Sequence, residues 1–154
     1  MKSIPDLLHE HPFFADLPEP ALDLIGGCGV NVHFADGEQV ITAGDDADYF
    51  YVLRTGKVAI EIDAPQSGPL IIETVGPGEI LGTSWFMPPY RSTWDARAVE
   101  STAAVSIDAA CLRGKCDEDH ELGYELFRRF AALVRDRLQH ARMQLLDLYS
   151  NNVS

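Results

Sequence analysis

Cysteine is scarce in this chain, with three among 154 residues, at positions 28, 111 and 116. So odd and sparse a set argues against a disulfide framework and predicts reduced thiols in a cytoplasmic protein. Cys111 and Cys116 are five apart and diverge on a helix, and no second close pair exists to complete a structural zinc site. Bases are also few: 12 Lys and Arg face 24 Asp and Glu, for a formal net charge of −12. The first 120 residues carry 20 acids and 7 bases. A polyanion is held mainly by Lys and Arg at its phosphates, so direct nucleic-acid binding is not expected. No apolar run is long enough for a signal peptide or a membrane span, so no membrane association is expected. Of the five histidines (His9, His11, His33, His120 and His140), only His33 lies in the strand-rich middle, so a metal-dependent enzyme on a β-scaffold lacks its ligand cluster. No nucleophile–base pair stands out by spacing. The expectation is therefore no enzyme, no catalytic residues, no metal and no cofactor.

What is present suits one globular domain with a real core: 46% hydrophobic and 23% charged residues. The organisation divides residues 1–154 into three stretches. Residues 1–28 read as helices, with Ser3 as a cap ahead of Pro5, and "PEPALDLI" ending at Gly26-Gly27, where glycine supplies a left-handed stop. Residues 29–108 alternate short apolar runs with Gly, Asp and Pro corners such as "ADGE", "RTG" and "GPGE", the pattern of a sandwich, roll or barrel. In "KVAIEIDA", Val58, Ile60 and Ile62 face one way, and Lys57, Glu61 and Asp63 the other. Residues 109–150 return to helix: a short segment broken near Gly114, then a long one. On the long helix Phe127, Phe130, Val134, Leu138, Ala141, Leu145 and Leu148 recur at spacings of 3, 4, 4, 3, 4 and 3, close to a heptad seam. That stripe fits either a homodimer helix or a face docked on the β-core.

The stretch "GEILGTSWFMPPYRSTWDARA" places Gly82-Thr83-Ser84 after an apolar pair and ahead of Trp85-Phe86-Met87. The pattern predicts a strand giving way to a short helix, whose first amides lack partners and favour an oxyanion. Arg91 adds a charge-assisted pair, and Ser92 and Thr93 add hydroxyl donors. An arginine at such a turn serves equally as a surface salt-bridge partner, with Glu79 or Asp95 at hand. Trp85 and Trp94 either stack on a purine or fill the space a nucleotide needs.

The chain resembles the cyclic-nucleotide-binding domain family, the sensor half of the bacterial catabolite activator. "HPFFADLPEPALDLI" looks like the family's N-terminal helical segment. "FADGEQVITAGDDADYFYVLRTGKVAIEI" is similar to its opening strands and glycine corners. "GPGEILGTSWFMPPYRSTWDARAVESTAAVSID" resembles its phosphate-binding cassette, and the last helix its dimerisation helix. The resemblance implies a mainly β fold, a double-stranded β-helix or jelly-roll-like β-roll, flanked by N-terminal helices and a long C-terminal helix. It implies Leu81-Gly82 as the opening of the cassette and Arg91-Ser92-Thr93 as its close, which in the family holds the cyclic phosphate. The expected phosphate site is therefore Gly82, Thr83, Ser84, Arg91, Ser92 and Thr93. The family glutamate that binds the ribose 2′-hydroxyl falls on Thr83, and a hydroxyl in place of a carboxylate weakens that contact about tenfold. Haem sensing also occurs in relatives of this fold, with His33 or His140 as candidate axial ligands. The expectation is a regulatory small-ligand sensor for cAMP, cGMP or a similar phosphate-bearing molecule. Its alternative is a degenerate, non-binding association module. Relatives that read DNA carry a helix-turn-helix domain after the long helix, whereas this sequence runs to "LLDLYSNNVS", so the output is expected to pass to a separate effector protein.

Overall fold

The computed structural model describes residues 2–152. Two short helices, α1 (Ile4–Glu10) and α2 (Glu19–Gly26), precede eight strands. These are β1 (Gly29–Phe34), β2 (Gln39–Ile41), β3 (Tyr49–Thr55), β4 (Val58–Ala64), β5 (Gly68–Val75), β6 (Ile80–Leu81), β7 (Asp95–Ala98) and β8 (Thr102–Asp108). Two helices follow, α3 (Ala109–Glu118) and α4 (His120–Asn152). The strands form two four-stranded antiparallel sheets, ordered β1-β8-β3-β6 and β2-β7-β4-β5. The architecture is a β-roll with flanking helices.

Alternation along the strands divides the core in two. Leu53, Leu81 and Ala104 of one sheet meet Val58, Ile60, Val75 and Ala96 of the other. On the opposite face of the first sheet, Phe50, Val52, Ile80, Val105 and Ile107 pack against the helices. Strand β3 is buried on both faces, which is why "YFYVL" is almost continuously apolar. Strand β4 departs from its expected alternation. Glu61 is 9% exposed, because Arg97 of the neighbouring strand reaches it diagonally at 3.2 Å, while Ile62 lies beyond the inter-sheet core and is 39% exposed.

The helices follow their caps. Ser3 Oγ accepts from the Asp6 amide at 3.3 Å and closes a capping box with Asp6. Helix α2 does not end in a left-handed residue: Gly27 has φ −64°. Glycine at 26 answers a need for space instead, since a Cβ there would lie 2.8 Å from Pro5 Cγ. Helix α3 runs through Gly114 unbroken, anchored by buried Leu112 and Cys116 and capped by Asp108, which accepts from the Cys111 amide at 2.9 Å. The break falls at Asp119, whose carboxylate accepts from the Leu122 amide at 3.1 Å.

Cys28 and Cys111 are joined as a disulfide, and only Cys116 is a free thiol, buried, among the described residues. This corrects the expectation of three reduced thiols. The roll brings the start of β1 against the first turn of α3, and an 83-residue separation carries no local sign of that meeting.

The apolar stripe of α4 splits. Leu122, Leu126 and Phe130 are buried and Leu133 packs against the helix-side core, so this part is docked. Beyond it Val134, Leu138, Leu145 and Leu148 are 40%, 49%, 54% and 62% exposed. Phe127, at 39%, sits on the boundary.

A buried histidine gives a pH prediction. His11 is 6% exposed, and its Nε2 has no hydrogen-bond partner. Burial pushes its pKa below the ordinary 6.5, with Glu79 opposing the shift. The unfolded chain therefore binds a proton more readily than the folded one. This contribution to stability is intact above about pH 6.5 and is lost as pH falls below it. Urea melts between pH 7.5 and 5 are expected to show that slope, and His11→Gln is expected to flatten it. An equal slope in the variant would remove His11 as its source.

Candidate functional site

A cavity of about 530 Å³ opens between the roll and α4. Its apolar floor comes from Ile41, Ile60, Ile72, Leu81 and Ala96, residues that alternation points inward. Gly82, Thr83 and Ser84 stand on one side of the wall, Ser92 and Thr93 on the other, with Trp94 at the edge, 44% exposed. Helix α4 supplies the remaining wall with Val134, Arg137, Leu138, Ala141, Leu145 and Leu148.

The stretch after β6 holds no helix: residues 82–90 form turns. This corrects the expected strand-to-helix transition, so this stretch presents no helix N-terminus to the cavity. Gly82 has φ +100°, a backbone that an L side chain rarely adopts, and glycine turns the chain there close to Phe50. Trp85 then plunges inward. It is fully buried, stacked on Phe50 at 5.0 Å between ring centroids and edge-on to Phe130 at 5.1 Å. Trp85 thus does not reach the cavity, which corrects its reading as a base contact. Arg113 of α3 holds the stretch from below: it donates to the Trp85 carbonyl at 2.6 Å and lies 4.3 Å over the Tyr90 ring.

Arg91 lies outside the cavity. Its side chain is 62% exposed, donates to the Gly44 carbonyl at 3.1 Å and stands 3.9 Å from Asp46. Neither Glu79 nor Asp95 is its partner: Glu79 accepts from the Gly76 amide and Asp95 from that of Ala43. The backbone explains the placement. The Arg91 segment runs antiparallel to residues 44–47, with Ala47 donating to Tyr90 at 2.7 Å and Ser92 to Asp45 at 2.9 Å. The guanidinium follows that ribbon outward while Ser92 and Thr93 turn in.

The cation that does line the cavity is Arg137, which sequence reasoning passed over. It donates to the Ile80 carbonyl and sits 3.7 Å from Glu73, 18% exposed. Desolvation lowers its pKa, with Glu73 and Glu79 opposing. Past Leu133 it is the one α4 residue with a described side chain that is not exposed. Its signal was a charged residue beside the apolar stripe. His140, Glu73 and Asp95 also line the cavity. His33 is remote, on β1 at Ser101, 2.7 Å away. Among the described residues no group of three or more His, Cys, Asp or Glu could hold a metal ion.

The architecture is that of an antiparallel β-roll domain with a ligand-sized cavity beneath a long helix. The chain belongs to the cyclic nucleotide-binding domain family, whose model matches residues 31–119. It is 29% identical over 122 residues to a CRP-like cAMP-activated global transcriptional regulator of Mycobacterium tuberculosis. That match takes in 79% of this chain but 53% of the regulator, so the chain spans about half the length of the curated relatives it matches. A solved structure from Geobacter metallireducens GS-15, assigned to cyclic nucleotide binding, superposes with a TM-score of 0.79 at 30% identity, covering 90% of this chain and 99% of that one. A cyclic nucleotide-binding domain from Methylobacillus flagellatus KT also gives 0.79, at 21% identity, over 94% and 82%. No described helix is long and apolar enough to cross a membrane.

Proposed function

We propose that this chain is a regulatory sensor that binds a cyclic nucleotide, cAMP or cGMP, or a similar phosphate-bearing ligand, in the cavity between roll and α4. The observation that carries the reading is the open cavity itself, walled by Gly82, Thr83 and Ser84 on one side and Ser92 and Thr93 on the other, with no indole blocking it. Its volume lies within the roughly 300–1,000 Å³ of small-molecule sites. Arg91 immediately precedes the inward Ser92; its backbone is paired with residues 44–47, and its guanidinium itself is held outside by an exposed ion pair and one carbonyl bond. An exposed ion pair is worth about 0–1 kcal/mol. Charge-assisted bonds to a phosphate are worth about 1.5–3 kcal/mol each, so a ligand draws the guanidinium inward. The bound state is then read out by α4, whose arrangement shifts with whichever form holds ligand better. The domain binds and does not catalyse, acts in the cytoplasm, and passes its signal to an effector protein.

Calorimetric titration with cAMP and with cGMP tests this. Saturable heat from either supports the sensor. No heat from both leaves the second reading, an association module. Two observations favour that alternative: Arg91 outside the cavity, and the acids Glu73 and Asp95 on its wall.

Either reading uses the exposed stripe of α4 for a homodimer. Val134→Asp, placing a charge at the start of the exposed stretch, is expected to halve the mass seen by light scattering. An unchanged dimer mass would rule out the seam.

A further inference from the structure

We propose that Cys28 and Cys111 form a redox-controlled lock on α3, the helix that joins the roll, the Gly82–Arg91 loop and α4. The cysteines lie 83 positions apart in sequence, yet their Cα atoms are 5.7 Å apart and their sulfurs are bonded. Cys28 sits between α2 and β1, and Cys111 in the first turn of α3. Backbone contacts hold the two positions together independently of the bond. The Asp108 amide donates to the Cys28 carbonyl at 2.8 Å, while the Asp108 carboxylate accepts from the Cys111 amide at 2.9 Å. Breaking the bond therefore leaves the two thiols facing each other, ready to re-form it. Cys28 is 7% exposed and Cys111 is partly exposed, so an incoming thiolate would approach from the Cys111 side. Cys116 is no exchange partner: it is buried, burial pushes its thiol pKa up, and it points to a different side of α3.

What the bond fixes gives it meaning. Two residues after Cys111, Arg113 grips the Trp85 carbonyl and the Tyr90 ring, so α3 carries the loop that ends in Arg91. Two residues further on, Lys115 donates to the Leu24 carbonyl at 2.7 Å, a non-covalent anchor to α2. Helix α3 then packs on α4. Helix α3 is thus one of the elements through which α4 and the loop are joined to the roll. The disulfide ties its first turn covalently to the turn between α2 and β1, and reduction leaves Lys115 and the Asp108 contacts alone. Formation joins the two sulfurs and passes two protons and two electrons to a low-molecular-weight disulfide of the glutathione class, whose own S–S bond opens to two thiols. Reduction is the reverse.

The test uses the protein without nucleotide, so its failure is distinct from failure of the sensor reading. The chain is equilibrated in glutathione buffers of graded thiol-to-disulfide ratio, then denatured and alkylated. Mass is expected to show one labelled thiol at the oxidising end and three at the reducing end. Amide exchange over residues 85–91 and 134–150 is expected to be faster in the reduced form, with Tm lower by about 10 °C. Cys111→Ser is expected to exchange at the fast rate in both buffers, and Cys116→Ser to respond like the parent. Three labelled thiols at every ratio would overturn the proposal. A bond that forms while exchange in both segments stays unchanged would also overturn it, reducing the disulfide to a passive staple.

Discussion

Phe130→Ala is expected to cost about 3–5 kcal/mol of folding stability, the range for removing a fully buried aromatic ring. The ring is 0% exposed and joins parts of the chain that are far apart in sequence. It meets Phe13 at 4.9 Å, Phe50 at 5.1 Å and Trp85 at 5.1 Å edge-on, and Phe86 at 5.5 Å. Those neighbours come from the N-terminal segment, strand β3 and the turn after Gly82. Alanine would leave a cavity that four rigid rings cannot close without moving the backbone they hang from. Each such aromatic pair is worth about 0.5–1.5 kcal/mol beyond its buried area. Urea unfolding measures the loss, with a Tm about 10 °C lower as its thermal counterpart. Phe127→Ala, one turn back at 39% exposure, is expected to cost far less. A Phe130→Ala loss no greater than that of Phe127→Ala would show that α4 is not docked through this ring.

Arg91→Ala is expected to weaken cyclic nucleotide binding by about 10- to 100-fold while leaving the unfolding midpoint nearly unchanged. Removing charge-assisted bonds to a phosphate costs about 1.5–3 kcal/mol, and each 1.4 kcal/mol is tenfold in affinity. The free protein loses only a 62%-exposed side chain with one carbonyl bond and a 3.9 Å ion pair. Asp46→Ala should act in the opposite sense. It frees the guanidinium from its outside partner and is expected to tighten binding no more than a few-fold, since the exposed pair contributes about 0–1 kcal/mol. Parallel calorimetric titrations of the parent and both variants separate these effects. Equal affinity in the parent and Arg91→Ala would mean that Arg91 stays outside and that the ligand is held by other groups.

Most elements of this protein were legible in its sequence because their signals are local. The Ser3 cap, the glycine corners between β-runs and the 3–4 spacing of the last helix are each settled by backbone sterics and side-chain period within a few residues. The resemblance added the order of the strands and with it the roll. The destinations of individual side chains were not legible in the same way. Arg91 points outward because residues 44–47 pair with its backbone. Trp85 and Trp94 part company because a turn at Gly82, without the expected helix, sends the first into a cluster of rings and leaves the second at the rim. The stripe of α4 reads as one seam, yet the roll and N-terminal helices cover it only as far as Leu133. Cys28 and Cys111 carry nothing in their spacing to announce a bond. By itself the sequence determined most of the helices and strands, since each such choice minimises a local cost, though not the turns after Gly82 or the run of α3 through Gly114. Only the tertiary structure decided what faces the cavity, because that depends on which distant backbone lies opposite each side chain.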